Sequence, residues 1–206
     1  MNVSPENREC GVRTKFVVRR RDLLPTYYAD AAALIRWCRT FDDEGLAPVE
    51  GGASAGNLSF RTPGGYVITP TRSRLKANLD WRQFVEVVRE DLEAFEIHVL
   101  GERAPSSDSF LHGRIYALRP DVGAVFHGHD DLVLKHADAV AARFDAAVTP
   151  SARLFGTRVD AEETAVALGS KNYVIRQGHG FAAVGRTQDE AGALALAVRR
   201  FVVSLA

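Results

Sequence analysis

PSSDSFLHGRIYALRPDVGAVFHGHD, residues 105–130, sets a carboxylate and two closely spaced imidazoles inside one helix-to-strand unit. Asp108, Leu111, Ile115 and Leu118 recur at helical spacing. Arg119-Pro120-Asp121 ends that helix, because proline has no backbone N–H to donate and restricts the residue before it. A strand follows. Side chains alternate between the two faces of a strand, so His127 and His129 in Val122–His129 point the same way.

Two imidazoles on one face of a strand end form half of a zinc site, since neutral imidazole suits a tetrahedral divalent ion. His179, in Tyr173-Val-Ile-Arg-Gln-Gly-His-Gly180, is the candidate third ligand. It follows a second β-rich run, and its flanking glycines allow close approach. Taken alone, an H-x-H pair is more often an ordinary surface or core pair than a metal site. His112, one turn after Asp108, reads as a packing or hydrogen-bonding residue, and His98 and His136 have no partner visible in the sequence.

The 206 residues are 46% apolar, and 26 Lys plus Arg balance 26 Asp plus Glu. This suits one compact α/β domain with a sizeable core. No bulk charge favours nucleic acid or an anionic membrane, so any anion recognition must be local. Cys10 and Cys38 fall in no metal-binding or redox spacing and do not argue for a disulfide framework. No apolar run reaches the ~20 residues of a membrane helix and the N-terminus lacks an apolar signal core, so the expected location is the cytoplasm.

Residues 1–22 are polar and then basic and read as a flexible arm, with the domain proper spanning 23–206. Pro25-Thr26 opens a helix to about Glu44, with Leu34, Ile35, Cys38 and Phe41 as its buried stripe and Gly45 as its stop. Residues 46–56 read as a small-residue loop. Asn57 to Arg61, the turn Thr62–Gly65 and Tyr66 to Thr69 form a hairpin. Trp81 to Val88 and Phe95 to Val99 read as antiparallel strands. Asp160 to Gly169 is a short helix, 173 onward and 180–185 are strands, and Thr187–Glu190 is a capping box for a last helix. The architecture is a three-layer α/β/α domain with a central, mostly antiparallel sheet.

These segments together resemble a family. Gly56-Asn57-Leu58-Ser59-Phe60-Arg61, Ile68-Thr69-Pro70-Thr71, Pro105–Asp108, Arg119–Val122, His127-Gly128-His129 and Gly178-His179-Gly180 occur in the order and approximate spacing of the class II aldolase and adducin family. The resemblance spans residues 30–203 and is to the zinc-dependent, fuculose-phosphate-aldolase type. It implies Zn2+, or another divalent transition metal, on His127, His129 and His179. It also implies a sugar-phosphate substrate and a homotetramer with sites at subunit boundaries. Read locally, Gly-Asn and Ser-Ser are turn and cap residues. The resemblance makes Asn57, Thr71, Ser106 and Ser107 phosphate-binding, with Arg72 beside them where aldolase-type relatives usually carry Gly.

The implied reaction is cleavage or formation of a carbon–carbon bond in a small phosphorylated ketose or hydroxycarbonyl compound. The metal would stabilise an enediolate and Asp108 would shuttle the proton. Asp108 stands where the aldolases have Glu, one methylene longer, and the local alternative is that it caps the helix. The tyrosine that the aldolases use as proton donor has no counterpart between Tyr116 and Tyr173, and Arg153, Phe155 and Arg158 in that region are not obvious replacements. Two other readings stand beside the aldolase: a sugar-phosphate dehydratase like the family's methylthioribulose-phosphate branch, and a non-catalytic adducin-like module. Intact metal ligands argue against the module.

Overall fold

A computed structural model describes residues 16–21 and 28–206. The strands are β1 (Val17–Arg21), β2 (Val49–Glu50), β3 (Ala53–Ser54), β4 (Asn57–Thr62), β5 (Gly65–Ile68), β6 (Val85–Asp91), β7 (Glu96–Leu100), β8 (Ala124–Gly128), β9 (Ala147–Val148), β10 (Tyr173–Arg176) and β11 (Gly180–Gly185). The helices are α1 (Tyr28–Asp43), α2 (Ser109–Leu118), α3 (Asp131–Lys135), α4 (Ala137–Phe144), α5 (Arg158–Leu168) and α6 (Gln188–Val203). Nine strands form one sheet in the order β1-β7-β6-β5-β4-β8-β11-β10-β9, and β2 and β3 make a separate hairpin. Every neighbouring pair in the large sheet is antiparallel except the two edge pairs, β1 with β7 and β9 with β10.

Alternation along the central strands divides the core in two. Leu58, Phe60, Phe126, Phe181 and Ala183 pack on the face covered by α1, α3, α4 and α6. Ile68, Val125, Val174, Ala182 and Val184 pack on the other, with Phe110, Leu111 and Ile115 of α2 and Ala161, Ala165 and Leu168 of α5. The helix stripe Leu34, Cys38 and Phe41 is buried as its spacing predicts, and Gly45 stops α1 at φ +70.

Several segments differ from their reading in the sequence. Residues 17–21, within the stretch read as a flexible arm, form β1 on the free edge of β7, where Arg19 pairs with Glu96 at 2.9 Å. Phe16 before it is buried, whereas residues 1–15, with Cys10, residue 22 and the Pro25-Thr26 helix start lie outside the described residues. The loop at 46–56 contains the β2–β3 hairpin. Trp81–Gln83 is a 3-10 turn, because Asp80 and Gln83 close a capping box there, and β6 begins only at Val85. At α6 the Thr187 hydroxyl accepts from Glu190 N, but the Glu190 carboxylate turns to Arg186, so half of the expected box forms. Among the described residues, no helix is long and apolar enough to cross a membrane.

Candidate metal centre and active site

β8 lies between β4 and β11, with Asn57 opposite His127 on one side and Ala182 opposite it on the other. Alternation turns His127 toward the face that holds Val125, α2 and α5. Gly56 permits the close crossing: its φ is +69, and a Cβ there would press into the His127 carbonyl. His129 follows the strand end, and its backbone N–H donates to Leu46 O at 3.0 Å. His179 sits in the β10–β11 turn, where its N–H donates to Arg176 O at 3.0 Å and its ring stacks on Phe155 at 5.3 Å between centroids.

The three imidazoles, distant in sequence, each offer a ring nitrogen within 4.8 Å of the others. His127 Nδ1–H donates to Phe181 O at 2.6 Å, which makes Nε2 the acceptor nitrogen, 3.2 Å from His179 Nε2 and also 3.2 Å from Arg176 Nη1, whose N–H approaches it. Ligand nitrogens at about 2.0–2.1 Å from a tetrahedral ion stand roughly 3.4 Å apart, so this spacing fits a shared divalent cation. His129 Nδ1–H is directed at Glu50 Oε1, 3.1 Å away, an outer carboxylate of the kind that fixes a ligand's tautomer. Burial, and then the Arg176 guanidinium, hold His127 well below its ordinary pKa and keep its ring neutral, the form a metal ion requires.

Asp108 stands beside this trio. Its Oδ2 lies 3.4 Å from His127 Nε2, accepts from Arg176 Nη1 at 3.1 Å and accepts from Asn57 Nδ2 at 3.2 Å. The Asp108 side chain does not cap α2, which corrects that local reading: the carboxylate is turned into the sheet by its partners there. Burial opposes its charge, but Arg176, His127 and His179 overturn that and hold the carboxyl well below the usual range. Asp108 Oδ1 is buried and has no hydrogen-bond partner among the described residues.

Asn57, Thr71, Arg72, Ser106, Ser107, Asp108, His127, His129 and His179 all line one cavity of about 330 Å³, together with Glu50 and Phe155. An isolated bridge between Pro70 and Pro105 brings the Thr71 turn to the Ser106–Ser107 turn. Arg72 adopts φ +58, a left-handed conformation in which glycine costs least, which accounts physically for the glycine expected there. Ser106 Oγ accepts from Asp108 N at 3.3 Å, so that hydroxyl shapes the turn as well as lining the cavity. Lys76, buried under the cavity rim, donates to Ser54 Oγ at 3.0 Å and to the Ala55 carbonyl, fixing the loop before Gly56.

Arg176 was absent from the sequence-derived site, though a signal for it existed. It sits in an apolar strand at the parity of Val174, so its charge had to be paired inside the protein. It is 2% exposed, and its second partner is Asp160 on α5, at 2.6 Å. Glu50 was missed because it lies on a two-residue strand with no periodic pattern. Among histidines given no site role, His112 is buried and hydrogen-bonded as its position suggested, and His98 has Glu96 at 4.0 Å.

Comparison with known proteins agrees with the fold. Residues 32–202 match the model of the class II aldolase and adducin N-terminal domain. Methylthioribulose-1-phosphate dehydratase of Serratia proteamaculans is 32% identical over 97 residues, 47% of this chain and 43% of that protein. The same-named protein of Gluconacetobacter diazotrophicus is 35% identical over 91 residues, 44% of this chain and 40% of that one. The aligned part thus spans less than half the length of these relatives. The crystal structure of L-fuculose-1-phosphate aldolase from Thermus thermophilus superposes with a TM-score of 0.68 at 25% identity, covering 86% of this chain and 93% of that one. With the family model spanning nearly all of the described chain, and a solved aldolase of the family sharing its fold, the protein belongs to the class II aldolase and adducin family.

Proposed function

We propose that this protein is a metal-dependent lyase that removes water from a small phosphorylated ketose or related hydroxycarbonyl compound. The observation that supports it is one cavity carrying three imidazoles at metal-sharing distance and, against them, a carboxylate held ionised. A divalent ion, with Zn2+ the first candidate, would be held by His127, His129 and His179 and would supply Lewis acidity toward the substrate carbonyl. Asn57, Thr71, Arg72, Ser106 and Ser107 would receive the phosphate, through hydroxyls, amides and a guanidinium suited to a dianion.

Asp108 is the group placed to move the proton. In dehydration it takes the C–H proton next to the carbonyl. The C–O bond on the following carbon then breaks, and the departing hydroxyl regains a proton and leaves as water. The carbonyl-bearing product forms when the remaining enol tautomerises. Asp108 Oδ1, which has no hydrogen-bond partner among the described residues, would be the oxygen that accepts the C–H proton, because Oδ2 is held by Arg176 and Asn57. The sequence relatives named as dehydratases favour this arm.

Aldol cleavage is the second reading, favoured by the likeness to a fuculose-phosphate aldolase. There Asp108 would take a hydroxyl proton, that C–O would become the aldehyde carbonyl as the carbon–carbon bond breaks, and the electron pair left beside the ketone carbonyl would take up a proton to give the second fragment. Incubation of zinc-loaded protein with a panel of ketose phosphates separates the two, since dehydration gives one dicarbonyl-type product and cleavage releases an aldehyde. Wild-type turnover in Asp108→Asn, or full metal content in His129→Ala, would remove the mechanism. The resemblance also supports a homotetramer, which sedimentation would test.

A further inference from the structure

Three residues behind Asp108, namely Ser59, His112 and Tyr116, have no role in the reaction just described, and with Asn57 they form a hydrogen-bonded chain that ends on the carboxylate. Asp108, His112 and Tyr116 fall at i, i+4 and i+8 along α2 and its cap, facing Asn57 and Ser59, at i and i+2 on β4. Tyr116 Oη lies 2.7 Å from Ser59 Oγ, which lies 2.7 Å from His112 Nδ1. His112 Nε2 lies 2.5 Å from Asn57 Oδ1, and Asn57 Nδ2 donates to Asp108 Oδ2 at 3.2 Å. All five side chains are at least nine-tenths buried.

Donor and acceptor identities settle the order. Asp108 Oδ2 already receives a guanidinium N–H, so it faces Asn57 as an acceptor and Asn57 must present its amide nitrogen. The amide oxygen then faces His112 Nε2, which must carry the proton. His112 Nδ1 is left an acceptor, filled by the Ser59 hydroxyl, whose oxygen accepts in turn from the Tyr116 phenol. Val125 O, 3.4 Å from Ser59 Oγ, is a second and longer acceptor for that hydroxyl, and the 2.7 Å contact with Nδ1 is the shorter of the two.

We propose that His112 is a positioning residue for Asp108, acting with Ser59 and Tyr116 to lock the Asn57 amide with its nitrogen on the carboxylate. An amide free to turn over would present its oxygen to Asp108 and push the carboxylate from the imidazoles. Asn57 also lines the cavity, so the same lock fixes the amide that a ligand group there would meet. Burial favours the same neutral ring, holding the His112 pKa at about 3. The consequence for turnover rests on the lyase reading of the site, whereas the direction of the chain does not.

The test uses the full-length protein, with and without zinc, and 15N-edited NMR of the imidazole side chains. His112 is expected as the neutral Nε2–H tautomer throughout pH 5–8. The Nδ1–H tautomer, or a midpoint near pH 6.5, overturns the proposal whatever the activity. In turnover, His112→Leu is expected to lower kcat at least tenfold with zinc stoichiometry unchanged. His112→Gln, which can still donate to Asn57, is expected to recover most of that loss. Wild-type kcat in a folded His112→Leu, or no recovery in a folded His112→Gln, overturns the positioning role. If wild-type protein converts no ketose phosphate, the lyase reading fails and the tautomer alone decides the chain.

Discussion

Arg176→Met tests the buried charge cluster on which the candidate site is built. The arginine is 2% exposed and lies between Asp108, 3.1 Å from Nη1, and Asp160, 2.6 Å from Nη2. Methionine keeps the apolar stem and removes the only cation in direct contact with either carboxylate among the described residues. Breaking a buried ion pair from one side leaves an unmatched charge, which costs about 3–5 kcal/mol. For a domain of this size that is a fall in Tm of roughly 10 °C. The deficit carries a pH signature. In the wild type burial raises Asp108, but the Arg176 guanidinium leads the neighbours that outweigh it and hold the carboxyl below its ordinary 3.8, so the ionised carboxylate stabilises the fold above that pH and the gain is lost only in stronger acid. In the variant burial goes unopposed by the guanidinium, and the carboxylates take up protons at higher pH. The gap between wild type and variant should be full at pH 8 and shrink toward pH 4. Urea unfolding at both pH values measures it. A deficit under about 1 kcal/mol, or one of equal size at both ends, would refute the reasoning.

Two further outcomes follow from other residues. Tyr66 Oη lies 2.5 Å from Glu90 Oε1 and 2.7 Å from Ser109 O, one phenolic proton between two acceptors, and burial raises Glu90 from 4.5 to about 7. The folded state therefore binds the extra proton, and the stability Glu90 contributes is full below pH 4.5 and lost as pH rises through about 7. Glu90→Gln should remove that slope and be the more stable protein at pH 8, by up to about 3 kcal/mol; a less stable variant at pH 8 sinks the assignment. Glu50→Gln should weaken metal binding about tenfold in a chelator competition without abolishing it, the low end for an outer carboxylate because this one is largely exposed. Unchanged affinity would remove Glu50 from the support of His129.

The sequence by itself determined the elements whose signals are local. Alternation in Val122–His129 put His127 and His129 on one face, apolar spacing fixed α1 and α2, and Thr62–Gly65 marked the β4–β5 hairpin. These depend on periods of two or about four residues, which any chain carries in its order. The six ordered motifs likewise carried the family, because their spacing is written along the chain. The short helices α3 and α4 and the edge strands β1 and β9 were not legible, being set by contact with neighbours more than by their own pattern.

What only the tertiary structure decided is how groups far apart in the chain meet. Asp108 could have capped a helix by every local criterion, and the fold instead gave it Arg176, 68 residues away, and Asn57, 51 residues away. Strand order and register across β4, β8, β11 and β10 put Asn57 opposite His127 and bring Arg176 within 3.2 Å of its Nε2. The physical reason is that a buried charge takes whichever counter-charge the packing delivers, and packing is a property of the whole sheet.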